Sequence, residues 1–116
     1  MIKKIYRLNE NEVKKVLKYS KPFFSYWIVA NATQNNRPYH RFAIILSSKT
    51  VNRNVTRNFF RRKMYDMVAS YISHNQGKDI VFVVKKQTKL DKKDFGSITT
   101  FEKDISFLLK KLAINV

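Results

Sequence analysis

Between Glu12 and Asp66 this chain carries no acidic residue, and inside that span Lys49, Arg53, Arg57, Arg61, Arg62 and Lys63 follow one another within fifteen positions, Lys49 to Lys63. Cations this dense repel one another and oppose compaction, so any fold available to the chain must hold them out in solvent and offset their repulsion elsewhere. The remaining residues allow it. Of 116 residues 44% are hydrophobic, with nine Phe and six Tyr, which places the charge on a folding chain with a core of its own and not on a disordered tail. The length fits one domain, 1–116.

A net charge of +16 points to a polyanionic partner, either nucleic acid or an anionic membrane surface. No apolar stretch approaches the roughly 18–20 residues that a membrane span needs. The N-terminus, Met1-Ile2-Lys3-Lys4, moves directly into charged sequence and lacks the apolar centre of a signal peptide. Cysteine is absent, which excludes disulfides, thiolate zinc sites and cysteine nucleophiles and fits a reducing compartment, the cytoplasm by default.

Asn9, with Glu12 three residues on, predicts a capped helix whose apolar stripe is Val13, Val16 and Leu17. Phe23 to Ala32, apolar on both faces, reads as one strand in which Tyr26 and Trp27 point to opposite sides. Asn31 to Tyr39 reads as a turn region, and Arg41 to Leu46 as a second strand paired antiparallel with the first. The basic segment becomes a helix from about Asn54 to Tyr71. There Phe60, Met64, Met67, Val68 and Tyr71 recur at the spacing of a buried stripe, while Asn58, Arg61, Arg62 and Tyr65 lie on another side. Asn75 to Gly77 closes it. Asp79 to Val84 is a strongly apolar strand, Lys85 to Gly96 a charged loop, and Thr99 with Glu102 a capping box opening a last helix that buries Phe101, Ile105, Leu108, Leu109 and Leu112. The order predicts an α+β single-domain sandwich: helix, strands, basic helix, strand, helix, with the helices packed on a small mixed sheet.

Catalytic patterns are absent from the sequence. His40 and His74 are the only histidines; isolated at a strand start and a helix end, they read as surface or capping residues rather than an acid–base pair. The eight carboxylates form no metal-ligand pattern, and Gly77 and Gly96, the only glycines, make no phosphate loop. Arginine is suited to RNA because its planar fork grips phosphate oxygens and stacks on unpaired bases. Asn58 offers a donor and an acceptor, and Tyr65 a stacking surface one turn on. Lys3, Lys4 and Arg7, and the lysines Lys85, Lys86, Lys89, Lys92 and Lys93, extend the candidate footprint. A ribosome-associated or RNA-chaperone module stays open as an alternative. A helix-turn-helix DNA binder is disfavoured by strands on both sides of the basic helix, and a free-standing nuclease would need His40 and His74 together.

The stretch Ser48 to Tyr65 resembles the signature of the bacterial ribonuclease P protein component, in which a Ser-Lys-Lys loop precedes Val-x-Arg-Asn-Arg-x-Lys-Arg-x-x-Arg on a helix. Here Ser48-Lys49-Thr50, Val55-Thr56-Arg57-Asn58 and Arg61-Arg62 stand at those places. Thr50, Phe59 and Tyr65 replace family cations, and Val13 and Leu17 stand where the family has aromatic residues on its first helix. The resemblance implies a ribosomal protein S5 domain 2-like fold and a subunit, not itself catalytic, that binds a catalytic RNA and the 5′ leader of precursor tRNA. It assigns RNA binding to Lys49, Arg57, Asn58, Arg61 and Arg62. Arg53, Lys63 and Tyr65 join them by position on the helix, and Tyr26 is expected to line a leader cleft between helix and sheet. Magnesium is implied as the cofactor, held mainly by the RNA subunit and substrate. The implied partners are ribonuclease P RNA and precursor tRNA, with no membrane and no obligate protein partner.

Overall fold

The computed structural model describes residues 3–46, 53–71, 77–85 and 90–112. After a short 3-10 turn, Lys4–Tyr6, come α1 (Glu10–Tyr19), β1 (Lys21–Phe24), β2 (Ile28–Gln34), β3 (Arg41–Ile45), α2 (Asn54–Val68, continued by the 3-10 turn Ala69–Tyr71), β4 (Lys78–Val84) and α3 (Phe95–Lys111). The sheet runs β1-β2-β4-β3. β1 with β2 and β2 with β4 are antiparallel, whereas β3 and β4 are parallel, so the sheet is mixed. Parallel neighbours cannot be joined by a tight turn. α2 is the crossover.

Alternation along the strands divides the apolar side chains between two layers. Ile28, Ala30, Phe42, Ile44, Ile80, Phe82 and Val84 meet Phe60, Met64 and Val68 of α2 and Phe101, Ile105, Leu108 and Leu109 of α3 in the main core. On the opposite face Ala43 and Val81 pack with Val16 of α1 and with Leu8. Aromatic rings stiffen the main layer: Phe42 stacks parallel to Phe82 at 6.5 Å, and Phe60 meets Phe101 edge-on at 5.0 Å. The stripe expected on α3 is thus buried, and that on α2 is buried at Phe60, Met64 and Val68 and only partly covered at Met67 and Tyr71. That on α1 is narrower, because Leu17 is 40% exposed.

α1 begins as expected: the Asn9 side chain accepts from Glu12 N–H at 2.8 Å while the Glu12 carboxylate accepts from Asn9 N–H at 2.9 Å. Glu12 also holds the guanidinium of Arg41, which forms two further bonds to Asp79, at 2.8 and 2.7 Å. One half-buried cation therefore ties α1, β3 and β4 together. Hydrogen bonds to a carboxylate favour the charged guanidinium, and Arg41 is held above its ordinary pKa chiefly by the bond to Asp79.

Several expectations are corrected. Phe23 to Ala32 is not one strand. It breaks at Ser25, whose N–H and hydroxyl both donate to the Ile28 carbonyl, at 2.9 and 2.6 Å, closing a hairpin. Tyr26 and Trp27 lie in that turn with their rings stacked at 5.7 Å, not on opposite faces of a strand. The turn region begins later than expected, since β2 continues to Gln34. β2 and β3 do not pair; β4 inserts between them. α3 starts four residues before Thr99, capped by Asp94, whose carboxylate accepts from Gly96 N–H at 3.1 Å. His40 is not at the surface: it is 1% exposed, and its Nδ1 accepts from Lys78 N–H at 2.9 Å, linking the starts of β3 and β4. His74, Asn75 and the loop Ser48-Lys49-Thr50 lie outside the described residues.

Candidate nucleic-acid interface

α2 forms against its own electrostatics. Its N-cap, Arg53, makes no side-chain capping bond, and its first turn holds no acid. The N-terminal end of a helix is positive, so Arg53 and Arg57 add like charge where an anion would stabilise. What holds the helix is its other side: Phe60, Met64 and Val68 are fully buried. The buried stripe fixes the rotation of α2, and with it the direction of every cation.

Arg53 and Arg62 are exposed, and Arg57, Asn58, Arg61 and Lys63 are half-exposed. Short amide side chains one turn back steer two of the arginines. Arg61 donates to Asn58 Oδ1 at 2.8 Å, and Arg57 reaches Asn54 Oδ1 at 3.4 Å. Fixing a guanidinium in advance reduces the ordering lost when it meets a phosphate. Lys63 lies 3.7 Å from Glu102 of α3, so part of its charge is already answered within the molecule. Lys49 is outside the described residues.

Two aromatic expectations fail here. Tyr65 is 6% exposed and belongs to the main core, which leaves no ring face for a base. Burial pushes its hydroxyl pKa up, against the opposing pull of nearby Arg7 and Arg61. Tyr26 is 74% exposed, but it sits at the tip of the β1–β2 hairpin, stacked on Trp27, whose ring packs against the main core. It is therefore not on a strand, the position from which it was expected to line a cleft between helix and sheet.

The fold extends the basic surface in a direction the helix alone does not show. Lys4 and Arg7 of the N-terminal segment border a groove of about 400 Å³ with Tyr65 and Arg41. They thus stand beside Tyr65 of α2, with Glu12 also bordering the groove. Sequence reasoning missed the apolar side chains among these cations. Val55, in the first turn of α2, is 61% exposed, and Met67, read as core, lies only partly covered beside Phe59. The mixing of Val55 and Phe59 into a basic run was the available signal.

The sequence over residues 2–113 matches the model of the Ribonuclease P family. The chain belongs to the ribonuclease P protein family. It is similar in fold to a Staphylococcus aureus RNase P protein, in a mutant form described as defective in mRNA degradation, with 20% identity and a TM-score of 0.73 over 97% of this chain and 92% of that one. It is also similar to the RNase P protein of Thermotoga maritima, with 21% identity and a TM-score of 0.67 over 90% of this chain and 96% of the other. No curated protein sequence is similar to it. Ribonuclease P membership makes the chain a protein subunit of an endonuclease that processes tRNA, associated in general with ribonuclease P RNA and tRNA substrate. No helix among the described residues is long and apolar enough to cross a membrane.

Proposed function

We propose that the exposed side of α2 is where this ribonuclease P protein holds the catalytic RNA, with Arg57, Asn58, Arg61 and Arg62 as its centre and Arg53, Lys63 and the loop residue Lys49 as its margin. The observation that carries this is the rotation of α2: its apolar stripe is locked into the core, so a row of cations, with Asp66 as its one carboxylate, faces outward on a rigid element. Phosphates set against that row would relieve both the mutual repulsion of the arginines and the uncapped positive end of the helix. The 5′ leader of precursor tRNA, a second polyanion, would lie against the same positive field, which lowers the repulsion between the two RNAs.

The chain itself contributes no catalytic group in this reading. His40 is sealed between strands, and the carboxylates of Glu12, Asp79, Asp94 and Asp104 are engaged in ion pairs, caps and a bond to Trp27 N–H. Magnesium belongs to the RNA and its substrate. Among the described residues no three His, Asp or Glu side chains gather at one point, and no step is assigned to an ion on this protein. The cytoplasm, where tRNA precursors are processed, is the place of action.

The test is cleavage of precursor tRNA by a cognate bacterial ribonuclease P RNA at low magnesium, with and without the protein. Stimulation with correct 5′ ends, and no cleavage by protein alone, is expected. Tight RNA binding without stimulation would favour a general RNA-binding module instead.

A further inference from the structure

Between α2 and the segment leading into α3 lies a groove of about 770 Å³, within the size range of sites that take up small ligands or single residues of a polymer. Its apolar lining comes from Val55, Phe59 and Met67. These recur at i, i+4 and i+12, one flank of the helix and distinct from the flank of Arg57, Arg61 and Tyr65. The Phe59 ring stands edge-on to Phe60 at 5.1 Å, which anchors it in place. Around this lining stand Arg62 and Lys63 from α2 and Lys92 from the opposite wall, against one carboxylate, Asp66. Asn58 also borders the groove. Its amide oxygen accepts from Arg61, so its N–H groups are what it presents to a ligand.

An apolar slot with one fixed aromatic ring, an amide donor and a rim of three cations is complementary to a ligand with a flat apolar body, polar edges and flanking negative charge. A lone phosphate would not use Val55, Phe59 and Met67, and an apolar peptide would not use the cations. We infer that this groove receives an unpaired nucleotide of bound RNA, its base against Phe59 and Met67 and its flanking phosphates on Arg62, Lys63 and Lys92. The inference rests on the reading of α2 as an RNA surface and adds a base-stacking site to it. It also accounts for an aromatic residue amid cations: Phe59 supplies a fixed stacking face without adding to the repulsion among its neighbours.

Met67 is a reporter inside the groove, and Met64, fully buried one turn before it, is an internal control. With 13C-methyl-methionine protein, titration with single-stranded hexa-adenylate should shift the Met67 methyl through the ring current of a stacked base and leave Met64 in place. Inorganic polyphosphate of matched charge should not. Phe59→Leu keeps an apolar side chain against Phe60, and Val55→Gln alters an exposed position. Phe59→Leu should weaken hexa-adenylate binding roughly five- to hundredfold, the range that removal of a base stack corresponds to, and Val55→Gln, which makes the lining polar, should weaken it to a smaller extent. If the backbone amides of Arg57 to Arg62 respond to hexa-adenylate while Met67 stays silent and both variants bind normally, the groove inference falls and the helix surface stands. If neither amides nor Met67 respond, both readings fall together.

Discussion

Arg57, Arg61 and Tyr65 succeed one another at every fourth position on one flank of α2, yet the first two remain half-exposed while the third is shut into the core. Tyr65 is enclosed by the main core where the two arginines are not, so equal spacing yields unequal exposure. Tyr65→Ala should therefore lower stability by about 3 kcal/mol through the cavity it leaves, while the folded fraction binds RNA as before; chemical denaturation and binding on the same sample separate the two. The raised pKa of Tyr65 adds a pH effect with a definite sign. The unfolded chain loses this proton near the ordinary tyrosine value, about 10, and the folded chain only above it. Its contribution is thus complete below pH 10 and declines as pH rises through the folded pKa. Tyr65→Phe should flatten the alkaline loss of stability, measured as melting temperature against pH. Arg57→Ala and Arg62→Ala should do the opposite of Tyr65→Ala: unchanged melting, weaker RNA binding, and a salt slope reduced by about one for each phosphate that is no longer neutralised. Equal slopes for variant and parent would remove those two residues from the interface.

At the scale of elements, the starts of β3 and β4 are joined by a compact set of hydrogen bonds. Gly77 N–H donates to the Arg37 carbonyl at 2.7 Å, the Asn35 side chain donates to the Tyr39 carbonyl and to Asp79, and His40 accepts from Lys78. A Cβ on Gly77 would lie 2.0 Å from the Tyr39 carbonyl oxygen, a backbone atom that cannot give way alone. Gly77→Ala should cost at least ~2 kcal/mol, visible as a lower denaturant midpoint with unchanged slope. Arg41→Ala should be worse, about 3–5 kcal/mol, since it leaves Asp79 buried without its partner. Little of this was legible in the sequence. The helices were, because Asn9 with Glu12 and the stripes on α2 and α3 are local signals repeated over several turns. The β1–β2 hairpin was not, because Ser25-Tyr26-Trp27 contains none of Gly, Pro or Asn and the turn is closed by a serine hydroxyl. The start of α3 was hidden by Gly96 in its first turn. The pairing of β3 with β4 depends on residues far apart in the chain, which no local pattern encodes. At the interface, the cations were legible as a row; which ring was buried and which exposed was decided by the packing of α2.

For the whole molecule, a net charge of +16 acts on every equilibrium that compacts the chain. Salt screens the repulsion, and multivalent anions that bind only the folded surface add further stabilisation. Sulfate or phosphate should raise the melting temperature, by roughly 4–8 °C for each kcal/mol gained in a chain of about this length. A melting temperature indifferent to sulfate would mean that the cations are spaced too widely to repel one another in the folded state. The strand order has another consequence, in time rather than in space. β4 lies between β2 and β3 in the sheet but follows both in the chain. During synthesis the β1–β2 hairpin, β3 and α2 therefore emerge before the strand that unites them, and the main core stays open until α3 follows. A nascent chain ending at Tyr71 has its full complement of α2 arginines and no sheet to hold them. It should be protease-sensitive, whereas one extended through Leu112 should not. Folding of this protein thus waits for β4 and α3, and until they join it the most basic segment lacks the packing that fixes α2.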